Sequence, residues 1–450
     1  MVMVWFILGL YILALFSGTL SRLLTEQLGL GGARYMDEAI LLLLLLVVGL
    51  LVLRRGRLPT SPIYAFLLLF SLLGWLTSLL QRVPADVALL GFLLATKPLV
   101  IYLAYHSLPL DEATAARLLA GLDKLFITLT IAAVAYSLLF EQLLHVNLLP
   151  GVAPGQIRFG LTPARSFFVH PSPFTSMMTL AAFYHFGRLL QMKRPHSLLL
   201  LALAAGGVIL GTRIKALFLL PVGILVIYAL ASMRQGHLKV KNALLGTLLV
   251  VVCLVFVGLF ANLLQDVLLT RLSEESANVR SQLLRYALVI NAESSGLGAG
   301  WGTYGSAISA LYHYSSYYYR FGLSELYGGS LTNPSFLTDQ WWSWYLGETG
   351  YLGTAVFLFT LLLIMAQLAH IAAYWRDRRP ALAALAYTAV AALVYGVVAG
   401  YAGAYLTSAP IGYYIMSLAG LVCALHRALA RDRINRMKPT PVNPVFSSHA

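Results

Sequence analysis

Asp339 and Gln340 stand directly ahead of Trp341, Trp342 and Trp344, and the run closes on Gly350-Tyr351-Leu352-Gly353. An acid and an amide among indoles, at the mouth of an apolar stretch of about twenty residues, put polar chemistry at a membrane boundary. A carboxylate there can draw a proton from a hydroxyl. The plainer readings are a solvated loop acid or an N-cap for the helix starting near Gln340. Glu348 is a second acid nearby, at the entrance to the apolar run. The three tryptophans fit two roles, an aromatic belt at headgroup level or platforms for stacking a sugar; the belt suits Trp344 better, and stacking stays open for Trp341 and Trp342.

The elements that must carry these residues are membrane helices. Of 450 residues, 59% are hydrophobic and 11% charged, with a mean hydropathy of +0.79, whereas soluble domains carry about 25% charged residues. The fold class expected is an all-α polytopic membrane protein of about twelve spans. These begin near Val2, Ile40, Pro62, Val87, Leu125, Thr175, Leu198, Ala216, Leu244, Tyr345, Leu382 and Pro410. The net charge of +14 is an orientation signal rather than a nucleic-acid footprint. Basic clusters such as Arg54-Arg55, Arg376 to Arg379 and Arg427 to Lys438 fall on one side, so that side and both termini are cytoplasmic. Cys253 and Cys423 both lie within spans and suggest no disulfide framework or thiolate metal site. The first span reads as a retained helix rather than a cleaved signal peptide.

This organisation divides the chain into a bundle over 1–262, an outer loop over 263–344, a second bundle over 345–430 and a tail over 431–450. The outer loop, between spans nine and ten in this count, is the one segment long enough for a subdomain. Within it, Val279, Leu283, Leu284, Ala287, Leu288 and Ile290 recur at helical spacing, and the glycine run from Gly296 to Gly302 ends that helix. The tyrosines and serines around Tyr312 to Tyr319 suit contact with sugars.

Four patterns in this order resemble the superfamily of O-antigen ligases and O-antigen polymerases, polytopic glycosyltransferases of the bacterial inner membrane. Phe168-Val169-His170-Pro171-Ser172 is similar to its His-Pro-Asn segment, and Gly211-Thr212-Arg213 to its Gly-Ser-Arg. Arg280, a helix and Gly296-Leu297-Gly298 resemble its arginine, helix and Gly-Val-Gly run. Asp339-Gln340, nine residues and Gly350-x-x-Gly353 fit its ligase frame, with aspartate where the ligases have histidine; this places the chain nearer the polymerase branch. The resemblance covers roughly residues 150 to 360 and implies a polyprenyl-diphosphate-linked oligosaccharide as both donor and acceptor, on the periplasmic face. It also implies a membrane partner that regulates chain length, and neither metal nor cofactor. Asp339 becomes the base, and Arg280 and Arg213 the groups that stabilise the departing diphosphate, because guanidinium forks match phosphate oxygens.

Arg285, Lys215, Lys97, His170, Arg165, Gln340, Trp341, Trp342 and Tyr304 are the expected substrate contacts. Arg285 equally suits a solvent-facing position beside Glu293, and His170 a structural role. Lys97, followed by Pro98 in mid-span, costs about 2.5–3.5 kcal/mol in lipid unless it faces the bundle and finds a partner. Asp37-Glu38 reads either as an acidic motif or as a span boundary. Three rival functions stay open: a ligase transferring the glycan to a lipid A core, a polymerase of the peptidoglycan shape and division group, and a lipid-linked glycan flippase. The last would place its charges along a path across the membrane rather than at one face.

Overall fold

A computed structural model describes residues 2–55, 59–146, 148, 157, 161–232, 279–400, 403–408 and 410–437. They are helical, with no strands among them. In chain order the long helices are α1 (Val2–Leu28), α2 (Met36–Arg55), α3 (Ile63–Leu80), α4 (Ala85–His106), α5 (Glu112–Tyr136), α6 (Pro171–Met192), α7 (His196–Leu210), α8 (Ile214–Ser232), α9 (Val279–Glu293), the short α10 (Ser316–Arg320), α11 (Trp341–Trp375), α12 (Pro380–Ala399) and α13 (Ile411–Met437). Nine helices among the described residues are long and apolar enough to cross a membrane. α6 is long but less apolar, and α7 is apolar but only 15 residues. The span expected from Leu244, together with Cys253, lies outside the described residues.

α12 and α13 form the centre of the bundle, and α2 and α3 turn most of their surface outward. α13 packs along α4, α6 along α7 and α12, and α11 along α3 and α12. The span expected from Leu125 begins earlier, at Glu112, because neighbouring helices satisfy the charges of its first turns. Asp111 caps it by accepting the Thr114 N–H at 2.7 Å, Arg379 reaches Glu112 at 3.2 Å, and Arg188 meets Asp123 at 3.1 Å.

Lys97 has the partners its position demands. Its ammonium is buried and held by Asp37 and, at 2.8 Å, by Glu38, both at the head of α2. The acidic pair therefore pins a loosely packed helix to α4. Breaking such a pair leaves a buried charge uncompensated, which costs about 3–5 kcal/mol. Lys97→Met is accordingly expected to lower the melting temperature in detergent, and adding Asp37→Asn to recover much of the loss. A single variant that melts like the parent would show that the cluster contributes nothing to stability.

Candidate functional site at one end of the bundle

α9 begins beside Asp339 because two small apolar anchors share one satellite core. Val279 precedes Arg280, Leu337 lies two residues before Asp339, and both are fully buried with Leu283, Ala287, Ile290, Tyr304 and Tyr318. The Arg280 guanidinium then lies over the Phe336 ring at 4.2 Å and donates to Asp339 Oδ2 through Nε at 2.8 Å and through its terminal amine. About a third of each side chain remains accessible, 29% for Arg280 and 33% for Asp339. Gln340, not Asp339, occupies the N-cap of α11, and its side chain makes no capping bond. The carboxylate thus faces a cavity instead of closing a helix.

The second cationic group comes from the tight turn between α7 and α8. Thr212 has φ 48°, and a Cβ on Gly211 would lie 2.0 Å from Thr175 Oγ1, so the turn is pressed against α6. Arg213 reaches His170 Nε2 at 2.8 Å. His170 caps α6, its Nδ1 accepting the Ser172 N–H at 3.2 Å, and Pro171 follows at the first helical position, where a missing N–H costs nothing. A neutral imidazole has one acceptor nitrogen, so these two donors compete for it. The segment leading to His170 is clamped by Glu141, whose carboxylate accepts the N–H groups of Arg165 and Ser166 at 3.0–3.2 Å.

These pieces line a cavity of about 610 Å³ together with Tyr405, the principal residues being His170, Arg213, Lys215, Arg280, Asp339 and Trp344. The volume lies within the usual range of ligand pockets, ~300–1,000 Å³. Three cations face one carboxylate, an excess of positive charge suited to a multiply charged oxyanion beside a hydroxyl that needs a base.

Of the other expected contacts, Arg285 is exposed and lies outside the lining. Its nearest aromatic neighbour is Tyr286, while Glu293 pairs with Arg320 at 2.5 Å. Arg165 is buried against Glu141, and Lys97 is engaged by the acids of α2. Tyr304 is buried, its hydroxyl donating to the Leu283 carbonyl at 2.9 Å. Trp341 stacks into the bundle on Tyr345 and Phe357, and Trp342 donates to the Val397 carbonyl at 3.0 Å. Trp344 is the indole that lines the cavity. The tyrosine-rich segment is divided, Tyr318 being core and Tyr312 and Tyr319 exposed.

Sequence reasoning missed what holds the site together. α11 breaks at Gly350, whose φ of 67° and ψ of −169° lie in a region only glycine enters freely. The glycine run folds into the break: Ala299 donates to the Gly347 carbonyl at 2.8 Å, Gly300 to Glu348 at 2.9 Å, and Tyr351 to Gly296 at 2.9 Å. Asn291, fully buried, donates to the Leu346 carbonyl at 2.7 Å and accepts the Tyr351 N–H at 2.9 Å. Backbone groups freed by the kink are thereby paired. The Glu348 side chain is buried in this junction, accepting from the Tyr304 N–H at 3.3 Å, and does not line the cavity.

Among the described residues, no three His, Cys, Asp or Glu side chains gather closely enough to hold a metal ion. The chain matches no protein-family model and no curated protein.

Proposed function

We propose that this protein is a polymerase of polyprenyl-diphosphate-linked oligosaccharide repeat units. It would be a glycosyltransferase of about twelve spans in a bacterial cytoplasmic membrane, with its site on the periplasmic face and its termini in the cytosol. The observation that carries the reading is the convergence of Arg213, Lys215, Arg280 and Asp339 on one cavity from three separate parts of the chain.

In this reading the acceptor sugar hydroxyl gives its proton to Asp339 as its oxygen attacks the anomeric carbon of the donor. The bond from that carbon to the diphosphate oxygen breaks, its electron pair leaves with the diphosphate, and the anomeric centre inverts. Cations fixed beforehand at the oxygen where charge accumulates lower the barrier without reorganising. The contest between Arg213 and Ser172 for the His170 ring also favours an anion, because an oxyanion that engages Arg213 releases it from that contest.

A polymerase uses one compound as donor and acceptor. Purified protein given only its lipid-diphosphate repeat unit is therefore expected to produce a ladder of products, with chelator present and without nucleotide or lipid A. Consumption in a single transfer, and only once a lipid A core is supplied, would make the protein a ligase. Passage of unchanged substrate across a bilayer would make it a transporter.

A further inference from the structure

A short segment between α12 and α13 carries no charge, yet it lines the cavity and brings a phenol among the charged groups. Tyr405 is 5% exposed and lines the cavity with Arg213, Lys215 and Asp339. Its ring is fixed on three sides. Tyr395 meets it edge-on at 5.8 Å, the Lys215 ammonium sits 4.4 Å from its centroid, and the backbone of Gly403 passes so close that a Cβ there would lie 2.4 Å from the ring. Its phenol also feels the charges of Arg213 and Asp339. A ring so confined presents its hydroxyl in one direction with little conformational entropy left to lose.

Building on the function proposed above, we propose that Tyr405 is a further binding residue of the diphosphate subsite, its phenol donating a hydrogen bond to a phosphate oxygen that Arg213 and Lys215 also hold. The division of groups supports this. Arg280 is engaged with Asp339 and Phe336, whereas the Lys215 ammonium lies against the Tyr405 ring and Arg213 acts on its phenol, so Arg213, Lys215 and Tyr405 gather as donors in one part of the cavity. Burial pushes the Tyr405 phenol up to about 12, so it keeps its proton, and its capacity to donate, throughout the physiological range. A neutral donor adds directional recognition without adding charge, complementing an ammonium that acts as a point charge.

The test is binding of farnesyl diphosphate to full-length protein in detergent, read by Trp344 fluorescence or calorimetry, with farnesyl monophosphate and inorganic pyrophosphate as comparisons. Y405F keeps the ring, its edge contact with Tyr395 and the cation–π contact, and removes only the donor. A hydrogen bond to a charged group is worth enough that its loss is expected to weaken farnesyl diphosphate binding about 10-fold or more. Y405F binding as tightly as the parent overturns the role of Tyr405 and leaves the wider site intact. Failure of the parent to bind any of the three probes overturns the site itself. 3,5-Difluorotyrosine at position 405 supplies an independent arm should Y405F fold poorly. It preserves shape and strengthens the donor, so binding several-fold tighter than the parent is expected, and unchanged affinity would overturn the proposal.

Discussion

Asp339→Asn is expected to reduce polymer formation by about 100-fold or more, the usual contribution of a positioned general base. Asparagine keeps the size of the side chain and a carbonyl oxygen for Arg280, but it cannot take up a proton from the acceptor hydroxyl. The competing explanation for lost activity is a damaged fold, and magnitudes separate the two. The Arg280–Asp339 pair is about one-third accessible, and ion pairs in contact with water contribute about 0–1 kcal/mol. Phe336 continues to support the Arg280 guanidinium in the variant. D339N is therefore expected to melt within a few degrees of the parent while losing nearly all turnover. Normal product from a well-folded D339N protein would remove Asp339 from the mechanism, and an equally folded but inactive R280A would then shift attention to the arginine.

Gly350→Ala is expected to abolish the folded protein, a larger stability effect than any surface substitution would give. Two costs add at this position. A side chain in the φ and ψ region of Gly350 carries strain of about 1–3 kcal/mol. In addition, the new Cβ would lie 2.1 Å from the Gly296 carbonyl oxygen, a backbone atom fixed by the Tyr351 N–H at 2.9 Å, so no flexible side chain can move aside. Relief would mean separating the glycine run from α11, which also releases the pairings of Ala299, Gly300 and Asn291. Proteins hold only about 5–15 kcal/mol in total, so aggregated or undetectable G350A in size-exclusion chromatography is the expected result. A monodisperse G350A with a parental melting temperature would show that the break in α11 is not under steric control. Gly353, one turn further on, has helical backbone, and the atoms nearest to a Cβ there are those of the Thr349 side chain, from 2.5 Å, rather than a second backbone segment; the two glycines of the matched frame therefore differ in what constrains them.

The contrast between what the sequence revealed and what it concealed follows from the range of the interactions. Apolar runs announce helices locally, and short motifs marked Arg213, His170, Arg280 and Asp339, because each sits at the end of an element where capping or turn chemistry leaves a local trace. Lys97 declared its need for a partner through its place in mid-span, although only the fold could supply Asp37 and Glu38 as that partner. Tyr405 left no such trace. Its segment reads only as a short connection between the spans beginning near Leu382 and Pro410, and its importance arises from Lys215 and Asp339, far away in the chain. The tryptophans were hard to separate for a simpler reason. Trp341, Trp344 and Tyr345 share one side of α11 and are all buried, yet of the three only Trp344 also lines the cavity; composition counts aromatic rings without recording what each one meets. The tyrosine-rich stretch suffers the same ambiguity, since Tyr318 serves a small core while Tyr312 and Tyr319 meet solvent.

The cavity's two walls have separate origins in the chain. Arg280, Gly305, Ala307, Thr338, Asp339 and Trp344 come from one continuous stretch, whereas His170, Arg213, Lys215 and Tyr405 come from turns joining bundle helices. Such a layout is modular. Insertions, exchanges or accumulated substitutions within the continuous stretch can reshape one wall while leaving the other, whose residues depend on the packing of α6, α7, α8 and α12. The pocket can therefore be altered from either side separately: a substitution in the continuous stretch changes one set of lining groups, and one in the bundle turns changes the other.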